Sequence, residues 1–92
     1  MAVTVINSFR VEDFQKWKQG FESGKSVRDN MGLKVTGTYQ SVDDSNNITV
    51  ICELPDVEAA KKMRTLPELQ EAWKRSGVII SSVDTRIMNQ LP

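Results

Sequence analysis

Apolar positions along the chain repeat with two periods, and the points where one gives way to the other mark the elements. From Val3 to Phe9 the side chains alternate, with Val3, Val5, Asn7 and Phe9 on one side and Thr4, Ile6 and Ser8 on the other, the pattern of a strand. After Val11 the period lengthens: Phe14, Trp17 and Phe21 fall on one helical stripe. Asp13 stands where a helix N-cap accepts from a free backbone amide. Gly20 and Gly24 each weaken this helix by about 1 kcal/mol against Ala, and Gly32, after Arg28-Asp29-Asn30-Met31, suits a left-handed ending. Alternation returns from Leu33 to Val42, with Leu33, Val35, Gly37 and Tyr39 on one face and Thr36, Thr38 and Gln40 on the other. The polar cluster Asp43-Asp44-Ser45-Asn46-Asn47 then joins a strand in which Ile48, Val50, Cys52 and Leu54 alternate with Thr49, Ile51 and Glu53, so the two runs read as a hairpin. Pro55-Asp56 ends it. A second helical region covers Val57 to Ser76, with Pro67 interrupting it because proline lacks a donor and clashes with the preceding turn. Pro67 also suits the first turn of a new helix capped by Thr65 or Leu66, with Leu69, Ala72 and Trp73 as its inner stripe and Gly77 closing it. Val83, Thr85, Ile87 and Asn89 alternate with Ser82, Asp84, Arg86 and Met88 in a last strand.

The order βαββαβ predicts an α+β chain of ferredoxin-like type, a four-stranded antiparallel sheet with both helical regions on one face. Val3, Val5, Val35, Tyr39, Val50, Cys52, Leu54, Val83 and Ile87 are expected beneath the helices. The other face then holds threonines with Ile6, Ile51 and Met88, but also Glu53, Asp84 and Arg86. Such a face is too apolar for water and too charged for a dry core, which suits a sheet stacked on a second sheet with some enclosed water or ligand. The expectation is a homodimer whose two sheets close into a barrel; the alternative is a monomer with an ordinary solvated sheet.

Composition narrows the chemistry. Ninety-two residues make one domain spanning 1–92, 39% hydrophobic and 26% charged, the profile of a globular chain. Twelve Lys and Arg balance twelve Asp and Glu, which argues against nucleic acid or an anionic membrane as partner. The strand from Ile48 to Leu54 also lacks the stacking aromatics that RNA-binding sheets of this topology carry. Histidine is absent, so imidazole catalysis and histidine-ligated haem or zinc are excluded. The longest apolar run, Val78-Ile79-Ile80, is far short of the roughly 20 residues a spanning helix needs. Cys52 is the sole cysteine and sits in an apolar alternation, where a structural thiol is expected. A chain without a disulfide or a basic region ahead of its first apolar stretch is expected in the cytoplasm. Asp43 to Asn47 lacks the turn glycine and terminal glutamate of a calcium loop and reads as a solvated hairpin.

Several stretches resemble one family. They are Val11-Glu12-Asp13-Phe14-Gln15-Lys16-Trp17 with Phe21 a turn later, Arg28 followed by Gly32, Asp43-Asp44, Pro67-Glu68-Leu69 and Gly77-Val78. In this order and spacing the chain resembles the dimeric α/β-barrel proteins, the superfamily of the antibiotic-biosynthesis monooxygenases, and within it a branch of small proteins often called cyclase-like. Phe9 stands about where many relatives carry a histidine, which removes any imidazole-dependent activity of the family. The resemblance implies a small-molecule pocket; members oxidise aromatic or polyketide substrates without metal or flavin, bind haem, or isomerise lactones.

Asn, Trp and Arg are typical pocket residues of the monooxygenase-like members. The resemblance therefore points to Asn7 and Arg86 as catalytic candidates, Asn7 donating to a developing oxyanion and Arg86 stabilising its charge. Trp17, Phe21, Tyr39 and Trp73 are the expected walls for a planar substrate. Each has a simpler alternative. Trp17 and Phe21 on a helical stripe suit a core, Trp73 a cap beside Leu69, Asn7 a satisfied strand residue, and Arg86 an ion pair with Glu53 or Asp84. Two functions follow: a cofactor-independent monooxygenase or cyclase-like enzyme, needing neither cofactor nor metal, or a non-catalytic ligand-sensing or assembly domain.

Overall fold

The computed structural model describes residues 2–92. Its elements are β1 (Val3–Arg10), α1 (Phe14–Ser23), α2 (Lys25–Asn30), β2 (Lys34–Gln40), β3 (Asn47–Leu54), α3 (Val57–Thr65), α4 (Pro67–Arg75) and β4 (Asp84–Met88), with a short 3-10 turn at Ile80–Ser82. The strands form one sheet in the order β2-β3-β1-β4, every neighbouring pair antiparallel, with the helices on one face. This is the ferredoxin-like plan expected from the order of elements.

Local chemistry explains where the helices begin and end. Asp13 accepts from the backbone amides of Gln15 and Lys16 at 2.9 and 3.2 Å, and Asp56 accepts from Ala59 at 2.8 Å. Gly32 (φ 72°) and Gly77 (φ 84°) occupy the left-handed region. After Gly32, Leu33 N–H reaches back to the carbonyl of Arg28, and after Gly77, Val78 N–H reaches that of Trp73, so both helix ends close as Schellman motifs. The single long helix expected from Phe14 onward is two: the chain turns at Gly24, whose amide bonds Gly20 and Phe21 while its carbonyl starts α2 by accepting from Arg28. Pro67 breaks the second helical region as expected, with Leu66 in the cap position of α4.

The core lies between helices and sheet in two joined clusters. Val3, Val5, Cys52 and Leu54 pack against Ala60, Met63 and Leu69. Phe9, Ile48 and Val50 pack against Trp17 and Val78. Each fully buried side chain of this size contributes about 1.5 to 3 kcal/mol. An isolated bridge between Val11 and Val78 ties the exit of β1 to the exit of α4.

One expected face assignment is corrected. Val35 pairs with Cys52, but Gly37 pairs with Ile51, Thr38 with Val50 and Tyr39 with Thr49, because a β-bulge falls between Val35 and Gly37. The extra residue reverses the alternation beyond it. Thr38 and Gln40 therefore lie on the helix side, and Tyr39, expected beneath the helices, lies on the open face, 59% exposed, its ring folded back over Gly37. Val42, expected to end this strand, is beyond it and fully exposed.

Candidate functional site

A cavity of about 670 Å³ opens between α1, α2, α4 and the helix-facing side of the sheet, within the range of small-molecule sites. Its floor is Asn7, Val50 and Cys52, and its walls include Trp17, Phe21 and Trp73. Trp17 and Phe21 stack at 4.9 Å between ring centres and 23° between planes, and Phe9 closes on Trp17 at 5.8 Å. Trp17 is only 3% exposed, so it is core and cavity wall at once, whereas Trp73 is half-buried.

Asn7 is the one buried amide of the site, 6% exposed on β1. Its neighbour across the sheet is Thr85, whose Oγ1 donates to Asn7 Oδ1 at 2.6 Å. That bond orients the amide. Among the described residues Nδ2 donates to nothing, so it is a donor at the cavity floor available to a ligand oxygen.

The six sequence candidates do not all converge. Asn7, Trp17, Phe21 and Trp73 line the cavity. Tyr39 and Arg86 do not. Arg86 pairs with Ile6 on the open face of the sheet and contacts Asp84 at 3.3 Å, the alternative role expected for it. Within one chain, the sheet separates Arg86 from Asn7.

The cavity lining instead carries Lys16, Arg75 and Arg28, the last on α2 and packed on an aromatic wall. The Arg28 guanidinium carbon sits 3.9 Å from the centre of the Phe21 ring, and Nη1 donates to the Phe21 carbonyl at 2.5 Å. Partial burial lowers its pKa, against the raising effect of Asp29. The sequence signal for it was weak: Arg28 would continue the stripe of Trp17 and Phe21 only in one unbroken helix, and the chain turns at Gly24.

Cys52 also lines the floor, but as an inert group. It is almost wholly buried, its Sγ lies 3.7 Å from the Val5 carbonyl, and burial pushes the thiol up to about 11. At the far hairpin, Asp44 pairs with Arg10 and accepts from the backbone of Asn46 at 3.0 Å. These bonds hold its carboxyl below the usual range. Asp44 therefore organises its own turn, as expected of a structural hairpin.

Several solved structures share this architecture. An inferred antibiotic biosynthesis monooxygenase from Bordetella bronchiseptica superposes with a TM-score of 0.81 at 13% identity, over 99% of this chain and 98% of the other. SnoaB, a cofactor-independent oxygenase from Streptomyces nogalater, superposes with a TM-score of 0.74 at 12% identity, over 99% and 94%. The fold is that of the antibiotic-biosynthesis monooxygenase domains. It also extends beyond them: an uncharacterized NIPSNAP-like domain protein from Burkholderia xenovorans superposes with a TM-score of 0.72 at 14% identity, over 98% and 85%. No family model matches the chain, and no curated protein matches it significantly in sequence. Among the described residues no helix is long and apolar enough to cross a membrane.

Proposed function

We propose that this chain binds a planar, largely apolar small molecule between its helices and sheet and acts on it as a cofactor-independent monooxygenase or cyclase-like enzyme for aromatic or polyketide-like substrates. The observation that carries this reading is an aromatic-walled cavity of about 670 Å³ with the Asn7 amide at its floor. The likeness in fold to SnoaB supports it.

A substrate that loses a proton to become a carbanion or phenolate supplies its own electrons to dioxygen. For anthrone, one oxygen atom ends on the ring carbon as a carbonyl and the other leaves as water, carrying the two hydrogens of the oxidised carbon. Asn7 Nδ2 would donate to the oxyanion that develops, a stabilisation worth about 2.7 to 4 kcal/mol where such donors have been removed elsewhere. The cavity lining holds no carboxylate and no imidazole, so the substrate's own acidity has to start the reaction. That feature also favours a second reading, in which the cavity binds its ligand without turning it over.

Anthrone in air, with a chelator present, tests both. Anthraquinone should form faster than in buffer, Asn7→Ala should slow it by about a hundredfold, and intrinsic tryptophan fluorescence should change as anthrone binds. Binding without acceleration leaves the ligand-binding reading; no fluorescence change with anthrone or related planar phenols removes both.

We also propose that two copies pack through their open sheet faces. Ile6 and Ile51 face each other across β1 and β3 there, with Tyr39 and Met88 exposed on the same side. A lone free thiol, buried in the core, fits a reducing location such as the cytoplasm.

A further inference from the structure

We propose that the ligand of this cavity is an aromatic carboxylate, and that Arg28 receives its carboxylate at the mouth while the rings enter the apolar interior. This rests on the ligand-binding reading above and deepens it. Charge is balanced over the whole chain, twelve against twelve. It is not balanced at the cavity. The charged side chains that line it are Lys16, Arg28 and Arg75, and no Asp or Glu is among them.

Arg28 is the cation built for the task. The ion pairs among the described residues are Arg10–Asp44, Lys25–Asp29 and Arg86–Asp84, so the Arg28 guanidinium is in no ion pair, and its neighbour Asp29 is paired with Lys25. One of its five N–H donors is spent on the Phe21 carbonyl, which helps hold the group over the Phe21 ring. The remaining donors keep the fork geometry that matches a carboxylate with two parallel bonds. A half-buried guanidinium has lost part of its water, and an arriving anion replaces it.

The approach is cationic as well. A second depression of about 450 Å³ shares Arg28, Leu33 and Val35 with the cavity and adds Lys25 and Lys34, with Asp29 held by Lys25. Arg28 therefore stands where the two spaces meet. Gly24 leaves it room: a Cβ there would lie 3.3 Å from Nη1.

The test is calorimetric titration of the full chain with naphthoate and with naphthamide, which share the rings but not the charge. The acid should bind at least about tenfold more tightly than the amide, the worth of a charge-assisted bond. Arg28→Gln should erase that preference while leaving naphthamide affinity within about twofold, which also shows that the variant folds. Arg28→Lys should restore part of the preference, and Arg64→Gln, an exposed charge on α3 outside the cavity, should change neither affinity. Equal affinity for acid and amide, or a preference that survives Arg28→Gln, overturns this proposal while naphthamide binding leaves the aromatic-cavity reading standing. Failure of both compounds to bind overturns the two together.

Discussion

Cys52 shows what burial does to a single group in this interior. Its ordinary pKa of 9.0 rises to about 11 through desolvation alone. The folded chain therefore holds this proton more tightly than the unfolded chain does. The resulting stability is intact below pH 9 and is lost as pH climbs toward 11. Denaturant titrations across that window should show wild type losing roughly 2 to 3 kcal/mol more than Cys52→Ala. Parallel losses in both proteins would mean that the thiol does not feel the core. Trp17 makes the complementary point with shape instead of charge. It is stacked on Phe21, tilted against Phe9 and Phe14, and buried. Truncation to Ala removes both a wall of the site and a piece of the core. Trp17→Ala should cost about 3 to 5 kcal/mol in urea unfolding, in contrast to Asn7→Ala, whose main effect should fall on the rate of anthrone oxidation. Residue type and spacing placed Trp17, Phe21 and Trp73 on inward stripes, and the family resemblance pointed to them and to Asn7 as pocket residues; all four line the cavity. Type and spacing were not enough for Arg28, because a long charged side chain can leave an apolar stripe as easily as fold along it. Its contact with Phe21 exists only once α1 and α2 meet at an angle.

At the scale of elements, punctuation was more informative than period. Asp13, Asp56, Pro67, Gly32 and Gly77 each mark a boundary that the folded chain uses. The two glycines serve a left-handed residue that any Cβ would strain. Gly77→Ala should therefore destabilise the protein by about 1 to 2 kcal/mol, read from the urea midpoint, even though no core atom is removed. An unchanged midpoint would show that the end of α4 tolerates another geometry. The alternation of β2 misled for a physical reason. A bulge adds one residue to one strand without altering the pattern of letters, and every side chain after it changes face. Tyr39 moved from expected wall to open surface in this way. The turn at Gly24 was similarly hidden: glycine tolerates a helix interior, and only the packing of α1 and α2 on the sheet turns tolerance into a break.

For the whole molecule, the open face of the sheet is the feature a lone chain leaves unexplained. Ile6 and Ile51 lie side by side in its centre, flanked by the Ser8–Thr49 hydroxyl pair at 3.0 Å and by exposed Met88. Paired sheets would cover these groups. Sedimentation at micromolar concentration should give twice the chain mass of 10.4 kDa. Ile51→Glu, which sets a carboxylate among the apolar groups of that face, should return it to one chain mass while leaving the helix-side core intact. A wild-type protein that sediments as a single chain would remove the paired-sheet assembly and leave the cavity proposal, which lies on the opposite side, untouched.

Periodicity, caps and breakers are properties of neighbouring residues. They were therefore already readable as βαββαβ, as a helix-covered sheet face and as a set of inward aromatics. Which charge meets those aromatics, and which face each residue beyond the bulge presents, depend on contacts between positions far apart in the chain. Strand register and the meeting of two short helices decide those contacts, and they put Arg28 rather than Arg86 at the cavity where Asn7 lies.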